Sequence, residues 1–350
     1  MSTRACLITN PQSGRGGVDL SDVLLVLQAN GWKVEVRQKL EGGQATDLAR
    51  QAAHDGFDVV CNCGGDGTMR EIITGLVNTE VAIGEIPGGT ANVWAHELGI
   101  SRQLRVAATQ LVNSERLRVD VGQVSINDHH REHFLLMAGL GLDGAVIGRV
   151  SDSLKNRIGP LAVGLAALET IPSMHAVPVR AEFDGLHWQG AVSQIIVGNT
   201  RRYGGFTRIT SGAYINDGLL DVCFFTAAGP VQASRQVTSL LLRQRPSDAG
   251  SESYRAATVA IQTPVVLPLQ LDGGAVKQKP GEASSEGIVY RFSLLPQAVT
   301  MLVPRTYDGE LFETAPLSDM PFHQNGSGKA KRKKGKKGKK HKDGSGGLKG

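Results

Sequence analysis

Cysteine is scarce in this chain: Cys6, Cys61, Cys63 and Cys223 are the four in 350 residues. They stand in long apolar or strand-like segments, which suits small core hydrophobes in a reducing compartment and excludes a disulfide scaffold. Cys61 and Cys63 have one residue between them rather than two, and no second pair follows, which argues against a zinc knuckle. No apolar run reaches the ~20 residues of a membrane span. The nearest, over residues 158–168, reads as an amphipathic or buried helix. The N-terminus lacks a basic region followed by an apolar stretch and a cleavage site. Membrane contact, if made, is expected to be peripheral, and the localisation cytoplasmic. Internal repeats are absent too.

Charge is lopsided at the end of the chain. Residues 326–350 hold ten Lys, one Arg and one Asp, a local charge of +10, whereas the whole chain carries +5. The preceding residues are therefore mildly acidic, and the basic sequence pI describes the tail. The tail is glycine-rich and like-charged, a composition that opposes a packed core. It suits an anionic membrane surface on the inner face. Without interleaved aromatics, and beside an acidic body, it argues against nucleic acid as partner.

What is present first is a βαβ rhythm. Strands are expected over 5–9, 32–38, 59–61 and 81–86, with helical spacing over 20–27, 45–52, 72–76 and 91–98. This predicts a parallel sheet covered by helices. After about residue 120 the pattern turns strand-rich, with expected strands over 134–138, 177–183, 191–197, 219–225, 258–262, 265–271 and 288–294. Two helical patterns lie among them, 154–171 and 231–242, and the polar stretch 244–253 reads as a loop. The fold class expected is α/β: an N-terminal parallel-sheet nucleotide-binding domain with a β-rich antiparallel second domain. The boundaries drawn are 1–120 and 121–297, then 298–310 as a return segment to the first domain, and 311–350 as linker and basic tail.

Three loops sit at strand-to-helix junctions. Gly64-Gly65-Asp66-Gly67-Thr68 combines glycines, which let backbone N–H groups approach an anion, with a following helix N-terminus. Asp66 would repel phosphate unless it orients a cation such as Mg²⁺. The other two are Asn10-Pro11-Gln12-Ser13-Gly14 and Pro87-Gly88-Gly89-Thr90-Ala91-Asn92. In a parallel sheet the carboxyl ends of such strands converge on one crevice. None of the three loops is GxxxxGK[ST] or GxGxxG.

The ordered set formed by these loops, Asp217-Gly218-Leu219-Leu220-Asp221 and Asp272-Gly273 resembles the diacylglycerol kinase catalytic family over residues 4–305. The resemblance implies ATP in a cleft between the two domains, Mg²⁺, and transfer of phosphate to a lipid alcohol, diacylglycerol or a related lipid. It implies nucleotide binding by Asn10, Ser13, Gly14, Gly64, Gly65, Asp66, Gly67, Thr68, Gly89, Thr90 and Asn92. It implies a structural Mg²⁺ at Asp217 and Asp221, a base at Asp272, and support from Glu71. Some relatives are dimers, so a homodimer is a further implication.

Each assignment has a plainer counterpart. Asp-Gly is a common hairpin dipeptide, and Asp217 and Asp221 also read as surface-turn and strand-edge charges. Two positions depart from the family: Val93 and Gly274 stand where acidic residues are usual. They keep open a catalytically inactive lipid- or nucleotide-binding regulatory protein, while the glycine-Asp loop keeps open an NAD kinase.

Overall fold

A computed structural model describes residues 2–11, 19–141, 176–202, 208–226, 239, 250–278 and 287–313. Ser13, Gly14, the expected helices over 154–171 and 231–242, and the basic tail lie outside the described residues.

The first part alternates β1 (Arg4–Thr9), α1 (Ser21–Ala29), β2 (Lys33–Gln38), α2 (Gln44–His54), β3 (Val59–Cys63), α3 (Asp66–Leu76), β4 (Ala82–Glu85), α4 (Val93–Glu97) and α5 (Leu104–Val112). The first four strands are parallel in the order β2-β1-β3-β4. Every residue of β3 and β4 is buried, as expected of parallel strands covered on both faces. In α2, Ala45, Ala49 and Ala52 form one buried stripe at helical spacing. Their small side chains let α3 come close: a Cβ on Gly75 would sit 2.5 Å from the Thr46 carbonyl oxygen.

The strand-rich part comprises β5 (Ser114–Ile126), β6 (His129–Phe134), β7 (Met137–Gly141), β8 (Val177–Phe183), β9 (Leu186–Val192), β10 (Gln194–Gly198), β11 (Leu220–Phe225), β12 (Ser251–Ala256), β13 (Thr258–Thr263), β14 (Leu269–Leu271), β15 (Gly274–Ala275) and β16 (Ile288–Pro304). Its second sheet is wholly antiparallel, in the order β12-β11-β10-β7-β14-β15. The long β16 joins the two parts. Its Thr300 and Met301 pair in parallel with Ala82 and Ile83 of β4, whereas its N-terminal half pairs antiparallel with β13. A register break between Leu295 and Val299, seen against β5, separates the two roles.

Two apolar cores follow. One lies around β1, β3, α3 and β4 and includes Leu7, Val60, Ile72 and Met301. The other fills the space between the sheets with Phe134, Phe183, Phe224, Tyr290 and Phe292. Edge-to-face ring pairs, Phe134 on Phe292 and Phe183 on Phe224, set its packing.

Several local expectations shift: the strand expected over 134–138 is divided between β6 and β7, and that over 191–197 between β9 and β10. Residues 251–253, expected in a loop, begin β12 and pair with Phe225 to Cys223 of β11; a polar edge strand carries no apolar alternation to announce it. The strand expected from residue 265 starts at Leu269, after Pro268, which has no N–H to give a ladder. Helix α4 starts at Val93 because Asn92 takes the left-handed conformation, φ +47°. No helix of the described residues is long and apolar enough to cross a membrane.

Candidate active site

Strands β1, β3 and β4 lie side by side, so the loops at their carboxyl ends meet. Between β3 and α3, Gly65 is extended, and its carbonyl accepts the N–H groups of Thr68 at 3.0 Å and Met69 at 3.1 Å. Asp66 therefore opens the helix with Gly67 and Thr68 in its first turn. The Asn10 side chain reaches this turn from β1, its Nδ2 lying 3.4 Å from Thr68 Oγ1. The third loop is tied on by the Gly88 N–H, which donates to the Gly64 carbonyl at 2.9 Å. Glycine faces glycine here: a Cβ on Gly89 would lie 2.5 Å from the Gly65 Cα.

Asn92 closes the third loop on itself. Its Oδ1 accepts the Gly89 N–H at 2.8 Å, and its Nδ2 donates to the Gly89 carbonyl at 2.7 Å. Buried and left-handed, it is a turn residue with a local amide lock. The carbonyl of Thr90 receives Arg102 Nη2 at 3.3 Å. Val93 packs into the core, yet its backbone is used: the N–H groups of Val93 and Trp94 support the Asp66 carboxylate, Trp94 at 3.3 Å from Oδ1. Burial pushes the Asp66 carboxyl up to about 6, and the nearby charge of Asp272 adds to the rise.

Asp272 arrives from the second sheet. It and Gly273, at φ +49° and +79°, form the turn between β14 and β15, so the hairpin reading of Asp-Gly describes its backbone. Its carboxylate does something else. Oδ2 accepts the Leu135 N–H at 2.8 Å, and Oδ1 accepts those of Leu136 at 2.8 Å and Met137 at 3.0 Å. These three bonds orient the carboxylate without an acidic neighbour at Gly274. Burial raises its pKa, while the three N–H groups and the nearby Arg70 pull it back. A backbone-anchored carboxylate with a lone pair to spare on Oδ2 can accept a proton from a hydroxyl.

Beneath the loops lies a carboxyl that sequence reasoning missed. Glu85, at the end of β4, is buried and accepts Asn62 Nδ2 at 2.7 Å. The same Nδ2 stands 3.4 Å from the Gly65 carbonyl. Burial raises the Glu85 pKa well above the carboxylate range. Its only sequence signal was a charged residue inside an apolar strand.

Glu71 serves a different place. Its Oε1 pairs with Lys39 Nζ at 2.5 Å and its Oε2 accepts the Ala45 N–H at 3.1 Å. It braces α3 against the start of α2 rather than facing the loops.

Asp217 and Asp221 come together at the start of β11, and Arg255 of β12 lies between them. Asp221 and Arg255 are directly opposite in the ladder. The guanidinium gives Nε to Asp221 Oδ2 at 3.3 Å and Nη2 to Asp217 Oδ2. Nearby, Asp120 Oδ2 accepts the Gly218 N–H at 2.8 Å and its Oδ1 the Gln297 N–H at 2.7 Å, locking this turn to the bend of β16. One guanidinium faces two carboxylates, and burial still pushes Asp217 up to about 6 and Asp221 up to about 7; Arg255 occupies the position between them that an added cation would take. Among the described residues no group of three or more His, Cys, Asp or Glu could hold a metal. Asp66 is a different case. A buried carboxylate beside a glycine cradle, with the charge of Asp272 near it, fits Mg²⁺ held chiefly by phosphate and water.

Comparison with known proteins gives the same outline. Residues 4–124 match the diacylglycerol kinase catalytic domain family, and residues 137–303 match the YegS C-terminal NAD kinase beta sandwich-like domain family. The chain is 31% identical over 284 residues to a diacylglycerol kinase of Bacillus subtilis strain 168, covering 80% of this chain and 92% of that one. A Staphylococcus aureus MRSA252 diacylglycerol kinase is 30% identical over 277 residues, covering 78% and 86%. In three dimensions the chain is similar to a solved diacylglycerol kinase structure from Bacillus anthracis Sterne. The TM-score is 0.64 at 21% identity, with 87% of this chain and 98% of that one covered. This last likeness bears on fold alone.

Proposed function

The chain belongs to the diacylglycerol kinase catalytic family and is an ATP-dependent lipid kinase; from that premise we propose that its acceptor is diacylglycerol or a closely related lipid alcohol, phosphorylated between the 64–68 loop and Asp272. The observation that supports this reading is the nearness of two carboxylates, one opening α3 and one on the β14–β15 hairpin. Asp66 sits in the glycine cradle, Asp272 on the opposing hairpin, and the charge of one is felt by the other.

In this reading the N–H groups of the 64–68 loop that have no internal acceptor, with the N-terminus of α3, hold the nucleotide phosphates, while the Gly88 and Gly89 N–H groups keep the loops together. Asn10, Ser13, Gly14, Thr90 and Asn92 shape the rest of the nucleotide site. Asp272 takes the proton of the lipid hydroxyl as that oxygen attacks the terminal phosphorus. Mg²⁺, when bound through Asp66, supplies positive charge at the phosphates. The domain scheme carried forward is 1–120, 121–297 and the return segment 298–310. The basic residues of 326–350 would hold the enzyme at an anionic membrane face, each contributing on the order of 1 kcal/mol near the surface.

The test is a substrate panel with purified protein, Mg²⁺ and labelled ATP. Diacylglycerol, a sphingoid base and NAD are offered separately, with Asp66→Asn and Asp272→Asn as controls. Label entering diacylglycerol, and lost in both variants, is the expected result. Preference for the sphingoid base overturns the acceptor, and an active Asp272→Asn overturns the base. A chain ending at residue 325 should bind anionic vesicles less while keeping its rate on micellar lipid.

A further inference from the structure

Arg70 lies one helical turn beyond Asp66 on α3, so both side chains leave the same side of the helix. Its guanidinium lies against the β14–β15 hairpin. Nη2 is 3.8 Å from the point where a Cβ on Gly274 would sit, two residues past Asp272, and its charge is felt at the Asp272 carboxylate. For so placed a group it is poorly engaged. Among the described residues its buried Nε has no hydrogen-bond partner. Its ion pair among them is with Glu132, whose Oε2 is 3.6 Å from Nη1 on a half-exposed side chain, beyond hydrogen-bond reach. A side chain at position 274 would contest this space; glycine leaves it to the arginine.

Resting on the lipid-kinase site described above, we propose that Arg70 is a further catalytic residue, whose guanidinium contacts the phosphoryl group in transit between nucleotide and acceptor. During transfer the acceptor oxygen forms a bond to the terminal phosphorus, and the bond from that phosphorus to the bridging oxygen breaks. ADP leaves with the bridging oxygen, and the hydroxyl proton passes to Asp272. Arg70 gains and loses no proton. Its planar donors face the equatorial oxygens, over which negative charge spreads in the transition state. The unpartnered Nε and the empty side-chain position at Gly274 are thereby given one cause.

The full chain is assayed with Mg²⁺-ATP and dioctanoylglycerol micelles. Arg70→Gln should lower kcat on the order of 10³-fold, with ATP affinity and melting temperature unchanged. Arg70→Lys, which keeps the charge but not the fork, should recover part of the rate and guards against a folding artefact in the first variant. Gly274→Glu should also slow turnover, because the new carboxylate captures the guanidinium. Glu132→Gln should leave the rate as it was. Wild-type kcat in Arg70→Gln, with Asp272→Asn inactive, overturns the proposal while sparing the site. Equal losses in Glu132→Gln and Arg70→Gln make the arginine a brace between α3 and β6 and overturn it as well. A fully active Asp272→Asn removes the site itself and the proposal with it.

Discussion

The carboxylate of Asp272 accepts the backbone N–H of Leu135 at 2.8 Å across 137 residues of sequence. With Leu136 and Met137 on its other oxygen, this residue stitches the β14–β15 hairpin to the connection between β6 and β7. Base and fastener are one group, so Asp272→Asn should fail twice. An amide must turn an NH₂ toward at least one backbone donor, at a cost of about 1–3 kcal/mol. It also cannot take the proton, which should lower kcat by about 10²–10⁴-fold. Denaturant unfolding and steady-state kinetics on the same preparation separate the two losses; an unchanged rate would remove the base assignment.

Arg255 bridges Asp217 and Asp221 with one positive charge where an ion between the two carboxylates would sit. Both carboxylates are nearly fully buried, with side-chain exposure of 3% and 8%. Arg255→Met should therefore destabilise the fold by about 3–5 kcal/mol, the usual outcome when one partner of a buried ion pair is removed. In the absence of nucleotide, the wild-type melting temperature should not respond to Mg²⁺ or chelator. The Arg255→Met protein should regain stability with Mg²⁺, because two uncompensated carboxylates then face an open space. A wild-type protein strongly stabilised by Mg²⁺ alone would show that Arg255 is not the resident cation.

Glu85 gives the stability a pH dependence with a definite sign. Its pKa is raised from the ordinary 4.5 by burial, so the folded chain keeps a proton that the unfolded chain releases. Stability from this group is full below the unfolded pKa and is lost as pH rises through the folded one. Asn62, whose Nδ2 donates to Glu85 at 2.7 Å, has a buried Oδ1 with no partner among the described residues. Glu85→Gln is neutral at every pH and should lack the decline. Urea midpoints from about pH 5 to about pH 9 should fall for wild type and fall less for the variant. Parallel curves would mean that Glu85 is ionised in the fold.

The sequence announced the α/β half and the three loops because glycine, proline and asparagine punctuate each strand-to-helix junction, and such punctuation is local. The Asp272-Gly273 turn was legible too, because an Asp-Gly hairpin is local; the base role there came from the family resemblance. What the sequence could not show were partners set by register. Arg255 meets Asp221 only because β11 and β12 are paired with those residues opposite. Glu71, read as support for the nucleotide site, turns to Lys39 and Ala45, because α3 packs on α2. The departures at Val93 and Gly274 looked like losses on the page of letters. In three dimensions Val93 packs into the core, and position 274 lies beside the Arg70 guanidinium; neither neighbourhood has a signature in sequence spacing.

Two glycines of the phosphate loops should respond differently to alanine, for different physical reasons. A Cβ on Gly89 meets the Gly65 Cα at 2.5 Å and Asn92 Oδ1 at 3.0 Å. The backbone there is held by the Gly88–Gly64 hydrogen bond, so the loops must separate. Gly89→Ala should cost about 1–3 kcal/mol of stability and weaken ATP binding by about tenfold or more, each tenfold being about 1.4 kcal/mol. A Cβ on Gly67 meets nothing within 4 Å, and the residue is helical. There alanine should stabilise the fold by about 0.5–1 kcal/mol. If the Gly67 N–H approaches a phosphate, the added methyl crowds only the ligand, and ATP affinity should fall although the protein melts higher. Isothermal titration with ATP beside thermal unfolding reads both quantities. Loss of affinity with gain of stability at Gly67 is a combination that loop distortion cannot produce, whereas unchanged affinity would leave that glycine as a helix residue without contact to the nucleotide.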